Sequence, residues 1–312
     1  MGNASAADTK MQHFFALGFQ RSGTTMLRLI LNSHSKISVP HETFFIHQYD
    51  RLASLGSLDD RAVRARILNE IAADRFVVEG SFMTAAGRDA AMEETTFAAM
   101  TARLFEAYAA REGKTIWGDK TPSYEPRASL LAHMFPEARF VHIVRDIRAV
   151  AASTKQLSWG TRDVETLAID WNLATLTANR IGRLLGDRYM MFRYEDLVTE
   201  PVGVVQRICA HLDVPFEAAM LEFHRDAQAH TPETAKRWHQ NSMRAPDPAK
   251  IDEWRKLLSA AEISLIEGRA GNTLSRFGYD LVDPRQTQLL RLGKIGVMLR
   301  ARMHRNKPAR RG

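Results

Sequence analysis

The segment Gly18-Phe19-Gln20-Arg21-Ser22-Gly23-Thr24-Thr25 has the residue types and spacing of an anion site. Two glycines five apart, between an apolar run and a helical pattern, suit a loop whose backbone N–H groups cradle a phosphate at a helix N-terminus. The triphosphate-binding form of this loop, G-x-x-x-x-G-K-[ST], sends its lysine to the β- and γ-phosphates. Here Thr24 stands at the lysine position, and the cation, Arg21, lies inside the loop. Such a loop can hold one anionic group and present a cation to a neighbouring one, but it is poorly built for a magnesium triphosphate. An ordinary glycine-containing turn is the competing reading. Further along, His41 and Glu42 stand side by side, and either can take a proton from a hydroxyl. Lys120 precedes a Thr-Pro turn. Arg145 ends the apolar run FVHIV, with Ser153 eight residues on; taken alone, that arginine could simply pair with Asp146. The eleven histidines show no H-E-x-x-H or comparable metal spacing. Cys209 lies in a helical pattern with no base beside it and reads as core.

These groups need elements to place them. Residues 13–18 (HFFALG) read as a buried strand, and residues 24–31 as a helix with Met26, Leu27, Ile30 and Leu31 on its apolar side. Residues 58–111 are helical in pattern, 114–118 and 140–144 are strand candidates, and 126–135 is a helix. A further helix starts near Asp146, a plausible N-cap. Residues 164–185 form a long helix, 188–193 a fourth strand, and most of the remainder is helical. Strands alternating with helices predict an α/β fold: a P-loop-like central parallel sheet flanked by helices on both faces, with a helical insertion. One α/β domain over residues 11–283 and a basic C-terminal tail over 284–312 are expected.

With these elements in place, the residues resemble sulfotransferases that use 3′-phosphoadenosine 5′-phosphosulfate. The family's 5′-phosphosulfate loop, [RK]-S-G-T-T, is matched by Arg21, Ser22, Gly23, Thr24 and Thr25. Its 3′-phosphate motif, an arginine at a strand end with a serine eight residues later, is matched by Arg145 and Ser153. Asp119-Lys120-Thr121-Pro122 resembles the family's lysine-containing segment. Arg193-Tyr194-Glu195-Asp196-Leu197 resembles R-Y-E-D-L, whose tyrosine lies against the adenine. Residues 241–246, with Ser242, and the following Trp254 resemble the late loop over the nucleotide. The pattern is nearest to the tyrosylprotein and bacterial small-molecule branch; the K-T-H base of the steroid and phenol branch is absent, and Thr-Pro follows Lys120 instead. The resemblance implies Glu42, 21 residues beyond Arg21, as general base in preference to His41, with Arg21 on the leaving phosphate and Lys120 beside the transferred group. It also implies the phosphosulfate (PAPS) as co-substrate, adenosine 3′,5′-bisphosphate (PAP) as product, and no required metal. A P-loop small-molecule kinase and a non-catalytic nucleotide-binding protein are the alternatives.

Composition limits the partners. The 312 residues are 45% hydrophobic and 25% charged, enough apolar side chain for a real core. The net charge of +7 is misleading, because nine basic residues and no acidic ones follow Asp283. Without them the body carries 34 basic against 36 acidic residues, which gives no electrostatic reason to expect nucleic acid. A single cysteine excludes an intramolecular disulfide. No apolar run reaches the ~18–20 residues that span a bilayer, and the N-terminus lacks a hydrophobic secretion segment. A cytoplasmic protein is expected. Residues 286–303 read as a basic amphipathic helix for peripheral contact with an anionic inner membrane surface, or as a solubilising or partner-binding tail. The family resemblance implies a hydroxyl on a small molecule or lipid-like compound as acceptor, and the oligomeric state is open.

Overall fold

The computed structural model describes residues 11–158, 160, 161, 163–238, 240, 242–282 and 284. The proposed membrane-contacting segment lies outside these residues. The chain divides into two compact units: residues 11–145 with 177–248, and residues 146–176 with the chain from 249 onward.

The first unit holds a five-stranded, all-parallel sheet in the order β2-β3-β1-β4-β5. Its strands are β1 (Gln12–Leu17), β2 (Ile37–Ser38), β3 (Ile116–Lys120), β4 (Arg139–Val144) and β5 (Tyr189–Arg193). The central strands are continuous apolar runs, as strands buried on both faces require: five of the six residues of β1 are buried, as are five of six in β4. Helix α1 (Thr24–Asn32) joins β1 to β2. Between β2 and β3 come α2 (Phe45–Ala53), which lies before the expected helical stretch, and then the expected insertion itself: α3 (Arg61–Ala73), α4 (Arg75–Glu79), α5 (Ala85–Met92) and α6 (Phe97–Arg111). Asp60, Asp74, Thr84 and Thr96 cap α3 to α6, each side chain accepting from a first-turn N–H. The insertion is bound to the sheet by aromatic packing. Trp117 of β3 is stacked between His13 of β1 and Phe105 of α6, with ring centroids 4.7 Å away on each side. Helix α7 (Ala128–Met134) precedes β4.

The second unit contains α8 (Ile147–Lys155) and the start of α9 (Val164–Leu185), which carries the chain back into the first unit. Asp146 caps α8 as its position suggested, accepting from the Arg148 N–H at 2.8 Å. In the first unit, α10 (Tyr194–Thr199), α11 (Pro201–His211) and the short α12 (Glu233–Lys236) follow β5. The second unit resumes with α13 (Trp254–Leu257) and α14 (Ala260–Arg276), the latter opened by a Ser259–Glu262 capping box. Its buried hub is Arg148, which donates to Asp146 (2.6 Å), to Glu267 (2.7 Å) and to the Asp280 carbonyl (2.8 Å). The same guanidinium lies 4.2 Å from the centre of the Trp254 ring.

Strand order decides where a ligand can go. The chain leaves β1 toward β2 on one side and later builds β4 and β5 on the other, so its direction reverses at β1. Open parallel sheets bind ligands at such a switch point, outside the carboxyl ends of the strands.

Candidate functional site

Five of the residues singled out from sequence lie at carboxyl ends of these strands. Arg21 follows β1, Glu42 follows β2, Lys120 is the last residue of β3, Arg145 comes directly after β4, and Tyr194 directly after β5.

The loop after β1 closes through a hydrogen bond from the Ser22 N–H to the Phe19 carbonyl, and α1 begins with the Leu27 N–H on the Gly23 carbonyl, each at 3.0 Å. Arg21 and Gly23 are both left-handed, with φ of 64° and 90°. For arginine this is a strained conformation of the sort that collects at functional sites. Gly23 is the N-cap of α1 and supplies no side-chain cap, so the first N–H groups of the helix have no side-chain acceptor of their own. Thr24 and Thr25 are buried in its first turn. The Ser22 hydroxyl is buried there without a hydrogen-bond partner. That orphaned donor and the uncapped helix fit an anion, the ligand that the loop's sequence predicts.

Two guanidinium groups meet at this loop. Arg145 Nη1 donates to the Arg21 carbonyl at 3.0 Å, and Arg21 Nη1 donates to the Trp238 carbonyl at 3.1 Å. Burial, and then the charge of Arg145, pull the Arg21 pKa down. Like charges held together in a half-dry loop are costly unless an anion joins them. Arg145 also lies 4.3 Å over the ring of Tyr194, and its Nε is buried without a partner. Tyr194 opens α10 just after Arg193, which pairs with Asp196 at 2.6 Å. Its ring rests on the backbone of Gly23: a Cβ there would lie 2.4 Å from Tyr194 Cδ2.

The second cluster is acid–base. Lys120 Nζ lies 2.5 Å from Glu42 Oε1, and both side chains are nearly inaccessible. Burial pulls the Lys120 ammonium down, the Glu42 carboxylate pushes it back up, and Arg28 lowers it again. Glu42 is also within electrostatic reach of Arg21 and Arg28. His41 is buried beside it.

The remaining candidates are more scattered. Ser153 lies half-buried on α8 of the second unit, and Ser242 in a half-buried turn of the first. Trp254 packs on Arg148 in the second unit. Cys209 is core, its thiol pushed up to about 11 by burial. Among the described residues no cluster of histidine, cysteine, aspartate and glutamate could hold a metal ion.

Sequence reasoning missed Arg28, which donates to the His230 carbonyl at 2.8 Å from the middle of α1. The available signal was an arginine in a helix whose apolar neighbours are all buried. It also missed the hydroxyl groups around Asp119, for which no spacing rule exists. Thr43 Oγ1 donates to Asp119 Oδ1 at 3.2 Å, and the Thr43 and Phe44 N–H groups donate to Thr121 Oγ1 at 3.2 and 3.3 Å.

Comparison with known proteins finds relatives of this chain in sequence and in fold. The nodulation protein NoeE of Sinorhizobium fredii is 27% identical over 293 residues, 85% of this chain and 65% of its own length. The omega-hydroxy-beta-dihydromenaquinone-9 sulfotransferase Stf3 of Mycobacterium tuberculosis is 26% identical over 184 residues, 54% of this chain and 43% of its own. The chain therefore spans less than two thirds of the length of these curated relatives. Among solved structures, the sulfotransferase domain from the Synechococcus PCC 7002 olefin synthase is 27% identical, with a TM-score of 0.59, covering 89% of this chain and 98% of that one. The profile described as "Sulfotransferase family" matches residues 13–218, from the first strand through the Glu42–Lys120 pair and the Arg145–Tyr194 contact, and this chain belongs to that family.

Proposed function

We propose that the chain transfers a sulfuryl group from PAPS to a hydroxyl of a small-molecule or lipid-like acceptor and releases PAP. The observation that carries this reading is the meeting of Arg21 and Arg145 at the uncapped N-terminus of α1, beside the Glu42–Lys120 pair. Arg21 and the loop from Ser22 to Thr25 hold the 5′ end of the donor, and Arg145 the 3′-phosphate. Arg21 is suited to the leaving phosphate because its guanidinium can grip two oxygens at once. Glu42 takes the acceptor proton as the new O–S bond forms and the bond to the leaving phosphate breaks. Lys120 stabilises charge on the transferred oxygens. The roles of Tyr194 against the adenine, and of Ser153 and Ser242 as further donor ligands, rest on the motif resemblance alone. Residues 11–283 form the catalytic domain in this reading.

A lipid-like acceptor is supported by the mycobacterial relative, whose name specifies a hydroxylated menaquinone. Among the described residues no helix is long and apolar enough to cross a membrane. The basic residues after 284 support peripheral contact of a cytoplasmic enzyme with anionic lipid. Co-sedimentation with anionic vesicles, with and without that segment, tests it.

The donor assignment is tested by thermal shift. A ligand at 100 times its Kd adds about 2.7 kcal/mol, so PAP should raise the melting temperature where magnesium-ATP does not. Stabilisation by magnesium-ATP alone would instead support a kinase. Mass spectrometry of extracts incubated with enzyme and PAPS should then show products heavier by one sulfuryl group; binding without any such product would support a non-catalytic nucleotide-binding protein.

A further inference from the structure

We propose that Asp119, acting through the Thr43 and Thr121 hydroxyls, is the positioning residue that sets Glu42 against Lys120. The inference rests on the sulfotransferase reading for its kinetic meaning and on geometry for the rest.

Consecutive residues of an extended strand face opposite ways. At the end of β3, Lys120 meets Glu42, while Asp119, its neighbour in the chain, meets Thr43, the neighbour of Glu42. The two contacts thus join the same pair of segments, and the second does not involve the reacting groups. Asp119 is fully buried. Its Oδ1 accepts from Thr43 Oγ1 at 3.2 Å and, at 3.5 Å, from Thr121 Oγ1. The other carboxyl oxygen, Oδ2, is buried without a hydrogen-bond partner, as is the nearby fully buried Tyr124 hydroxyl.

The hydroxyl of Thr121 shows why an acceptor is needed at position 119. It takes the N–H groups of Thr43 and Phe44. A hydroxyl has two acceptor sites and one proton, so with both sites filled its proton must go to an acceptor, and Asp119 supplies one. The two N–H bonds also hold Phe44, which has φ of 53°, a conformation that a bulky residue keeps only when its surroundings impose it. That left-handed residue turns the chain from Glu42 into α2. Without Thr121 and Asp119, residues 43 and 44 would relax toward ordinary φ and carry Glu42 away from Lys120.

The test compares wild type with Asp119→Ala, Thr121→Val and Thr121→Ser. Crystal structures with PAP bound give the Glu42–Lys120 distance and the φ of Phe44. Calorimetry with PAP and steady-state turnover of PAPS, using the acceptor found by mass spectrometry, give affinity and kcat. Asp119→Ala and Thr121→Val should lose the Glu42–Lys120 contact, lower kcat by about 10²-fold, as displacements near 1 Å can, and leave PAP affinity within about twofold of wild type. Thr121→Ser, which keeps the hydroxyl, should restore both the contact and kcat. If Asp119→Ala does not fold, the isosteric Thr121→Val decides. A retained contact in Thr121→Val, or a loss of PAP affinity parallel to the loss of kcat, overturns the proposal. A wild type that neither binds PAP nor turns over PAPS overturns the sulfotransferase reading instead; structures without ligand then still decide whether Asp119 and Thr121 hold Glu42 against Lys120.

Discussion

The guanidinium of Arg145 lies 4.3 Å over the ring of Tyr194 while its Nη1 donates to the Arg21 carbonyl. One side chain thereby ties the segments after β1, β4 and β5 together. It is oriented by a backbone oxygen and an aromatic face, neither of which neutralises its charge. That charge remains for an anion, and the arrangement leads to the first expectation. Arg145→Ala should weaken PAP binding by about 1.5–3 kcal/mol, the range for a hydrogen bond to a charged group. At saturating donor kcat should stay near wild type, because contacts far from the reacting sulfur are nearly uniform between ground and transition states. Calorimetry with PAP and with adenosine 5′-phosphate checks it: the preference for the 3′-phosphorylated ligand should vanish. An unchanged preference would mean that another cation binds the 3′-phosphate.

Tyr194 reaches Arg145 by crossing the bare backbone of Gly23. Gly23→Ala therefore meets two penalties, a φ of 90° and a Cβ placed 2.4 Å from Tyr194 Cδ2. The backbone penalty alone is about 1–2 kcal/mol, and the clash adds to it. The melting temperature should fall and PAP binding should weaken together. Adding Tyr194→Ala should return part of the lost stability, because residues in contact do not act additively. A double variant as unstable as the sum of its parts would show that the ring does not press on Gly23.

Much of this site could be read from sequence because strand ends are sequence-local. The run FVHIV places Arg145, and the run HFFAL places the loop holding Arg21. Helix α9 spans the expected residues, 164–185, and Asp146 caps α8 as expected. Strand β2 was not expected. It is two residues long, too short for any alternation of side chains to register. The division into two units was also illegible, since no linker composition marks it; the second unit is assembled from distant stretches around buried Arg148. The same reason hid the support of Glu42. Thr43 and Asp119 are 76 residues apart, and nothing in either local pattern announces the other.

Glu42 carries the proposed proton transfer, and its pairing with Lys120 makes a clean substitution available. Glu42→Gln preserves shape and one acceptor oxygen but cannot take a proton. Turnover should fall by about 10²–10⁴-fold, the usual contribution of general base catalysis. PAP affinity should change little, since Glu42 carries no donor-binding role. Steady-state kinetics with calorimetry on the same preparation decide it. Near-full turnover would transfer the role to His41, buried next to it.

Glu125, in the 3-10 turn that follows β3, provides a measurement that needs no substrate. Its side chain is fully buried, and neither carboxyl oxygen has a hydrogen-bond partner. Burial pushes its pKa up to about 7 from 4.5. The folded protein therefore holds a proton here that the unfolded chain releases at lower pH. Between about pH 4.5 and 7 the folded state binds more protons at this site than the unfolded state, so stability falls as pH rises. Below that window the site contributes no slope, and above it the loss is complete, on the order of 3 kcal/mol. Asp119, also raised to about 7 by burial, adds a slope of the same sign, and buried His142, lowered to about 3, adds one of opposite sign. Both are present in wild type and in Glu125→Gln alike and cancel in the difference. Denaturant unfolding of the two proteins from pH 4.5 to 8.5 should show Glu125→Gln gaining on wild type through this window and then running parallel to it. A difference that stays constant with pH would mean that Glu125 ionises in the fold as readily as in the unfolded chain.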